Sequence, residues 1–253
     1  MEITEYKNIY NNERTHFFYV TTNILILSLV SKYTSGKKLK ILDAGCGTGL
    51  LAKQLQAFGE ITAVDFSSEA IKFAKKRGIK ATQASILDLP FRKNNFDVLV
   101  SVDVITHKSI KNDLTCLNEF YRVLKPGGIL ILRVSANNWL NMIHDKHVHM
   151  NHRYNRGELF DKLNKSNFNV LKLSFVNSIL LPPLIFRFLI EKITKPKGSK
   201  SAINTVNGRV NNLLTKILKY EYKLIMRYNI PFGIGLVAVA RKPLKENLAI
   251  HTP

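Results

Sequence analysis

Short apolar segments alternate with amphipathic helical patterns along the chain from Leu39 onward. Apolar runs of strand length separated by helical patterns are typical of βα units around a parallel sheet. The segment Phe96–Ile105 is apolar at nearly every position, which predicts a central strand buried on both faces. The predicted strands span residues 39–45, 60–66, 80–85, 96–105, 129–135, 169–176 and 233–242.

Helical patterns of period 3.6 fill the spaces between these strands. They cover residues 50–58, 69–78, 114–124 and 156–168. The fold class is therefore α/β, with a mostly parallel sheet and helices on both faces. The chain divides into an N-terminal helical cap (1–38), a core (39–176 and 232–243), a helical basic insertion (177–231) and a flexible tail (244–253).

Two apolar stretches raise the question of a membrane span. Asn23–Val30 is too short to cross a bilayer and is typical of a core helix. The stretch 178–190 in the insertion is interrupted by Pro182 and Pro183, so it is not a clean membrane helix. A basic helical pattern follows at residues 211–228.

The net charge is unusual for a chain of 253 residues: it is +20, with a pI near 10.0. Such a charge favours polyanions, which include nucleic acid, acidic lipid surfaces and phosphorylated substrates. A solvated lysine surface explains it equally well. Cys46 and Cys116 form neither a disulfide framework nor a pair with metal-ligand spacing, and the polar N-terminus does not have a secretory pattern. We therefore expect a cytoplasmic protein.

A glycine-rich turn joins the first strand to the first helix of the core. Gly45, Gly47 and Gly49 allow the backbone to approach a ligand closely, and the following helix presents free N–H groups. A dinucleotide-binding turn would need a third glycine at position 50, where this chain has Leu50. The spacing therefore argues against a dinucleotide cofactor.

Two aspartates follow the second and third strands. The Asp65 carboxylate can accept two hydrogen bonds from a ribose diol, although an acid that starts a helix beside Ser67 is the structural alternative. Asp88 lies in a turn where it could meet an adenine amino group, and a simple turn-forming aspartate is the alternative there.

The chain resembles the class I S-adenosylmethionine-dependent methyltransferase family in five segments. They are ILDAGCGTG (41–49), AVDFS (63–67), ILDLPF (86–91), FDVLVSVDVITH (96–107) and RVLKPGGILIL (122–132). The resemblance implies a Rossmann-like, seven-stranded sheet with an antiparallel last strand, which here follows the helical insertion. It also implies S-adenosyl-L-methionine as the cofactor.

The resemblance assigns roles to matching positions. Those beside the methionine portion are Asp43, Gly45, Gly47, Gly49, Val102 and Asp103. Asp65 would bind the ribose, and Ser85, Ile86 and Asp88 the adenine. Cys46 and Phe66 complete the predicted cofactor site. In one departure, Thr106 precedes His107 where many relatives have an acid, so no acid–base role is carried over to that position.

Candidates for a general base lie after the fifth strand, where His144, His147, His149 and His152 accompany Asp145 and Trp139. Such a cluster could form a metal site, a base with an orienting acid, or a polar loop; we expect no metal. The segments ERTHFFY (13–19), WLNMIHD (139–145), HRYNRGEL (152–159), FVNSILLPP (175–183) and NIPFGIGLVAVARKP (229–243) resemble bacterial methyltransferases linked to cell-surface glycan or lipid-linked saccharide pathways.

Within this second resemblance His144, Asp145, Arg153 and Tyr154 match recurring positions. We therefore interpret His144 and Asp145 as catalytic, with loop anchoring as the alternative role for Arg153 and Tyr154. The segment His16–Tyr19 could form a lid over the cofactor cleft or a hydrophobic staple for the first helix.

The leading hypothesis is methyl transfer to oxygen or nitrogen of a small-molecule or lipid-linked acceptor, with the insertion as a candidate peripheral contact to an anionic membrane at the inner face. The positive charge suggests an RNA methyltransferase as the alternative, although no separate RNA-binding module is visible and VDVI replaces the NPPY-like tetrapeptide of amino-directed nucleic-acid methylases. A catalytically silent scaffold that binds the cofactor is the third hypothesis.

Overall fold

The computed structural model describes residues 3–36, 38–139, 152–194 and 206–244. Its strands form one sheet of seven in the order β3-β2-β1-β4-β5-β7-β6. The strands are β1 (Leu39–Ala44), β2 (Gly59–Asp65), β3 (Ala81–Gln83), β4 (Phe96–Val102), β5 (Leu124–Ser135), β6 (Asn169–Val176) and β7 (Gly235–Arg241). Only β7 runs against its neighbours, β5 and β6, in the part of the chain described. The seven-stranded, mostly parallel sheet predicted from the sequence is confirmed.

Helices cover both faces of this sheet. They are α1 (Ile3–Asn12), α2 (Phe17–Tyr33), α3 (Leu50–Leu55), α4 (Ser68–Lys76), α5 (Asp113–Val123), α6 (Arg156–Lys165), α7 (Leu181–Thr194) and α8 (Gly208–Arg227). Apolar residues of α2, α3, α4 and α8 form the core on one face, and those of α5 and α6 form it on the other. Because the central strands are buried on both faces, their sequences are continuously apolar rather than alternating.

The helix α2 contains the apolar stretch Asn23–Val30, and it is a core helix as predicted. Leu25, Ile26, Leu29 and Val30 are fully buried against the sheet. Helix α8 packs beside α2 and contributes Leu218, Tyr222 and Ile225 to the buried interior. The second half of the predicted insertion therefore forms part of one face of the core.

Pro182 and Pro183 divide the apolar stretch 178–190 into two elements. A 3₁₀ turn at Ser178–Leu180 leads directly into α7, and both prolines lie in the first turn of that helix. Backbone nitrogens in the first turn have no acceptor within the helix, so proline is tolerated there. The stretch is therefore not one continuous helix, as predicted. Among the described residues, no helix combines the length and apolarity needed to cross a bilayer.

Several strand boundaries differ from the prediction: the third strand covers only Ala81–Gln83 and the seventh Gly235–Arg241, and the largest shifts are in the fourth and fifth strands. The fourth strand ends at Val102, three residues early, because Asp103 has a left-handed backbone with a φ of 57° and a turn follows it. The fifth strand begins at Leu124, which pairs with Phe96, so Pro126–Gly128 lie inside the strand instead of before it. Apolarity alone could not locate these ends, since residues beyond them are apolar as well.

Tyr154 connects the segment ahead of α6 to two helices. Its side chain is fully buried, and its hydroxyl donates a hydrogen bond of 2.5 Å to Oδ2 of Asp113 at the start of α5. The Lys162 ammonium of α6 donates to the same oxygen, also at 2.5 Å. The geometry favours the anchoring role for Tyr154, because its hydroxyl is committed to this buried network.

We expect Tyr154→Phe to lower the free energy of unfolding by about 1 kcal/mol, the typical net contribution of one buried hydrogen bond. Urea denaturation would measure the loss. Tyr220→Phe is the matched control, because Tyr220 is 65% exposed on α8 and its change should stay within about 0.5 kcal/mol. Equal effects of the two changes would contradict the structural role of the Tyr154 hydroxyl.

Candidate active site

The candidate site lies where the parallel strands β1, β2 and β4 end, at one edge of the sheet. Open α/β sheets bind ligands at this carboxyl edge. The turn after β1 is held to the neighbouring strand by two hydrogen bonds, because the backbone N–H groups of Gly45 and Cys46 both donate to the Val64 carbonyl, at 2.8 and 2.9 Å. The buried Cys46 side chain faces the interior, where burial raises the pKa of its thiol.

The three glycines of this turn are required for different reasons. All have positive φ, at 92° for Gly45, 52° for Gly47 and 83° for Gly49. A Cβ at Gly45 would lie 2.1 Å from Cγ2 of Val104, and one at Gly49 would lie 2.9 Å from Cα of Ala74. A Cβ at Gly47 would meet nothing within 4 Å. Gly45 and Gly49 therefore allow close packing, whereas Gly47 borders open space.

The Asp65 carboxylate joins the turn after β1 to the turn after β2. Oδ2 accepts a hydrogen bond of 2.9 Å from Gly47 N–H, and Oδ1 accepts one of 2.9 Å from Ser67 N–H. Burial raises the pKa of Asp65, and these two backbone donors oppose the rise. Each oxygen keeps a second lone pair, so the carboxylate can still accept hydrogen bonds from a diol. Asp65 can therefore hold the start of the helix beside Ser67 and still bind a ribose diol, so the two interpretations of this residue are compatible.

Asp43 brings a second carboxyl group to the same place. It is buried at the end of β1, and Oδ2 has no hydrogen-bond partner among the described residues. Burial, together with the nearby Asp65 charge, raises the pKa of Asp43 to about 7. A buried carboxylate without a partner is costly, so this position favours a ligand that brings a hydrogen-bond donor or a positive charge.

Phe66, Ser85, Ile86 and Asp88 lie after β2 and β3, beside Asp65. The Phe66 side chain is 70% exposed, an unusual position for a large apolar ring directly after a buried strand. Ser85 starts a turn in which its carbonyl accepts from Asp88 N–H at 3.3 Å, with Ile86 buried beneath and the Asp88 side chain exposed. Asp88 is thus in the predicted turn, and the exposed Phe66 ring offers a flat apolar face.

Val102 ends β4 beside the glycine turn, and Asp103, the next residue, pairs with Arg133, which was not among the predicted site residues. The buried Arg133 of β5 donates to Oδ2 of Asp103, and its guanidinium lies 4.9 Å from the centre of the Phe18 ring. Oδ1 of Asp103 and Nε of Arg133 have no hydrogen-bond partner among the described residues. The signal that could have identified Arg133 is a charge inside the apolar strand ILILRVS.

The N-terminal segment contacts this site from the side of α1. Tyr6 is buried, and the Asp65 carboxylate adds to burial in raising the pKa of its hydroxyl. Glu13 follows α1, and its Oε1 accepts hydrogen bonds from Thr48 in the glycine turn and from Arg77 after α4, both at 2.5 Å. This buried network ties the N-terminal segment to the cofactor turn. This network could not be predicted from the sequence, because Glu13, Thr48 and Arg77 are far apart in the chain.

The remaining predicted residues are distributed as follows. His16 accepts a hydrogen bond from Phe18 N–H at 3.3 Å as the N-cap of α2, while Phe18 packs against Arg133 beside Asp103. Arg153 donates to the Ala136 carbonyl at 3.2 Å. The predicted catalytic residues His144 and Asp145 lie outside the described residues. No group of three His, Cys, Asp or Glu side chains suited to a metal occurs in the described ranges.

The sequence is similar to those of known methyltransferases over part of its length. Residues 42–132 match the family model described as a methyltransferase domain. A human protein named probable tRNA methyltransferase 9B is 38% identical over 99 residues, which cover 38% of this chain and 21% of that protein. A demethylmenaquinone methyltransferase from Staphylococcus aureus is 33% identical over 105 residues, which cover 38% of this chain and 42% of the relative. The chain thus spans less than half the length of these curated relatives.

Solved structures support the fold. Phosphoethanolamine N-methyltransferase 2 from Haemonchus contortus, in complex with S-adenosyl-L-methionine, matches with a TM-score of 0.58 at 21% identity, covering 86% of this chain and 52% of that one. The cyclase SpnF matches with a TM-score of 0.57 at 19% identity, and the match covers 87% of this chain and 80% of the cyclase chain. Because proteins with different named activities share the fold, the reaction has to be argued from the site.

The geometry of the glycine turn predicts that alanine at Gly45 lowers the free energy of unfolding more than alanine at Gly47 does. Gly47→Ala should cost about 1 to 2 kcal/mol of unfolding free energy, because only backbone strain is added. Gly45→Ala should cost about 2 to 5 kcal/mol, since its methyl group also clashes with Val104. Urea denaturation of the protein without ligand measures both. A Gly47→Ala loss as large as that of Gly45→Ala would contradict the open space beside Gly47.

Proposed function

Because the chain carries a class I S-adenosylmethionine-dependent methyltransferase domain over residues 42–132, we propose that it transfers a methyl group to an oxygen or nitrogen of a small-molecule or lipid-linked acceptor. The observation that carries the proposal is the pairing of an open glycine cradle at Gly47 with the unpartnered Asp43 oxygen and the Asp65 carboxylate.

The residues present fit the cofactor group by group. The unpartnered Oδ2 of Asp43 suits an ammonium group such as that of the methionine portion. Asp65 has free lone pairs for the two ribose hydroxyls. The exposed Phe66 ring suits stacking against adenine, and the turn from Ser85 to Asp88 offers polar groups for its edge. In this assignment Gly47 leaves the space that the cofactor needs.

The bound cofactor supplies an activated, electrophilic methyl group, so the chain itself has mainly to position the acceptor. Positioning in a reactive geometry contributes about 7 to 11 kcal/mol in favourable cases. The Asp103–Arg133 pair supports this role, because it fixes the end of β4 beside Gly45 with charges that Phe18 partly covers. The buried Tyr6 and the Glu13 network hold the N-terminal segment against the same edge.

His144, with Asp145 beside it, remains the proposed general base or acceptor contact. A base of this kind contributes about 10² to 10⁴-fold to the rate. The test is single-turnover methyl transfer by His144→Ala, once an acceptor is known. A rate within a factor of two of the unsubstituted protein would remove His144 from this role.

Methylation of RNA is the second candidate function. It is favoured by the net charge of +20 and by the similarity to a protein named as a probable tRNA methyltransferase. The relative named as a demethylmenaquinone methyltransferase instead supports a lipid-soluble small molecule. The exposed apolar residues of α7 favour a lipid-soluble acceptor over RNA.

The acceptor class is tested by incubating the protein with methyl-labelled S-adenosylmethionine and fractionated cell extract. We expect label in the lipid or small-molecule fraction. Label confined to the nucleic-acid fraction would support RNA methylation instead. Cofactor binding by calorimetry with no label in any fraction would support a silent scaffold, and absence of binding would overturn the cofactor assignment.

The raised pKa of Asp43 predicts that cofactor binding is linked to protons. A cationic ligand favours the carboxylate, so binding near pH 7 should release protons, and affinity should rise as the pH rises through about 7. The same raised pKa means that the free protein loses stability as the pH rises towards 7, because the native state holds the proton longer. Calorimetry in two buffers of different ionisation enthalpy measures the release.

Asp43→Asn should abolish this component of proton release. The matched control is Asp97→Asn at the opposite edge of the sheet, where the hydrogen bond from Lys125 lowers the pKa of the carboxyl. It should leave the proton release unchanged. Equal release from the Asp43→Asn and unsubstituted proteins would rule out Asp43 as the linked group.

A further inference from the structure

Helix α7 has an apolar stripe on its exposed side. Phe186 is 67% exposed, Leu189 is 51% exposed and Ile193 is 82% exposed. Their spacing of i, i+3 and i+7 puts the three side chains on one face of the helix. The apolar stripe of a helix in a globular protein normally faces the core, and here Phe188 and Leu184 pack inward while a second stripe remains exposed. A stripe of this kind marks an interaction surface.

Two further exposed apolar residues lie beside α7. Ile179, in the 3₁₀ turn ahead of α7, is 45% exposed. Trp139 follows β5, is 52% exposed and makes an edge-to-face contact with the inward-facing Phe188, with ring centres 6.3 Å apart. We call the set Ile179, Phe186, Leu189 and Ile193 the α7 patch. Trp139, which contacts the same helix, is an amphipathic ring of the kind enriched at membrane–water interfaces.

The start of α7 is held in place by a buried carboxylate of α8. Glu221 accepts hydrogen bonds from Ser178 N–H at 3.1 Å, from the Ser178 hydroxyl at 2.9 Å and from Ile179 N–H at 3.4 Å. Tyr222 donates to Asn177 at the end of β6. Because β6 runs in the same direction as β1 and β4, the α7 patch begins at the edge of the sheet that carries the candidate active site.

Exposed cations occur on α7 and on α8. Arg187 and Lys192 of α7 are exposed, and the Lys192 ammonium lies 4.8 Å from the centre of the Phe188 ring. On α8, Lys219 and Lys223 are exposed within one turn of the buried Glu221 that holds the start of α7. The other exposed cations of α8 are Arg209, Lys216 and Arg227. An exposed apolar stripe on a helix with neighbouring cations is the pattern of a helix that lies in the interface of an anionic membrane.

We propose that the α7 patch is a docking surface for an anionic lipid bilayer. The apolar side chains enter the boundary between headgroups and acyl chains, and the cations of α7 and α8 contact the negative headgroups. RNA would gain from the cations but not from Phe186, Leu189 and Ile193, so the stripe favours the bilayer. The proposal goes beyond methyl transfer, because membrane binding requires neither cofactor nor acceptor.

The experiment uses Trp139, which is the single tryptophan of the chain and contacts α7 through Phe188. The full-length protein is titrated with vesicles of phosphatidylcholine alone or with an equal amount of phosphatidylglycerol, and sedimentation accompanies the fluorescence. We expect a blue shift of the tryptophan emission with the mixed vesicles. Affinity for phosphatidylcholine alone should be at least about tenfold weaker, because several cations contribute to the attraction.

The variant Phe186→Glu/Ile193→Glu should bind the mixed vesicles at least about tenfold more weakly, since it loses two exposed apolar side chains that enter the bilayer in the proposed complex. Phe160→Glu is the matched control, because Phe160 is 45% exposed on α6 and lies outside the patch. It should bind as the unsubstituted protein does. Circular dichroism confirms that each variant is folded.

Three results would overturn the proposal. They are no sedimentation with anionic vesicles, an unchanged affinity in Phe186→Glu/Ile193→Glu, and an equal loss of affinity in Phe160→Glu. Tight binding to RNA together with no vesicle binding would assign the charge to nucleic acid. None of these outcomes depends on methyl transfer, so failure of membrane docking and failure of the proposed reaction are distinguishable.

Discussion

The Asp65 carboxylate is the interaction on which the candidate site depends. Its two oxygens accept backbone hydrogen bonds from Gly47 and Ser67, so one side chain fixes the turn after β1 relative to the start of α4. Hydrogen bonds to an ionised acceptor are shorter and stronger than neutral ones, which suits a contact that holds two glycine-rich or polar turns in place. The contact holds Gly47 with its open side beside Asp43, which strand pairing with β2 and β4 places at the end of β1.

The same edge of the sheet contains buried charged groups that lack some of their hydrogen-bond partners. Asp43 and Asp103 each have an oxygen without a hydrogen bond among the described residues, and the buried Arg133 has an unpaired Nε. An unsatisfied buried polar group costs about 1 to 3 kcal/mol, more if it is charged. A site that retains several such groups is less stable than a fully satisfied one, and ligands that supply the missing partners offset the cost.

The local parts of this arrangement could be predicted from the sequence, and the long-range parts could not. Strand and helix patterns, the glycine turn and Asp65 are encoded within short segments, and the structure has the sheet expected from them. The pairing of Arg133 with Asp103 could not be predicted, because Arg133 lies in β5 and Asp103 follows β4, 30 positions earlier in the chain. The link from Glu13 to Arg77 joins residues 64 positions apart. The roles of His144 and Asp145 stay predictions, because both lie outside the described residues.

The difference between local and long-range contacts also distinguishes the proposed cofactor site from the surfaces available to an acceptor. The groups assigned to the cofactor lie in the turns of the sheet, where neighbouring strands determine their positions. The surfaces available to an acceptor come from α2, α7 and the residues after β5, which meet through contacts such as Phe18 with Arg133 and Trp139 with Phe188. Surface segments accept sequence change more readily than buried strands do. Acceptor specificity should therefore be carried by these outer elements, with the cofactor site kept constant beneath them.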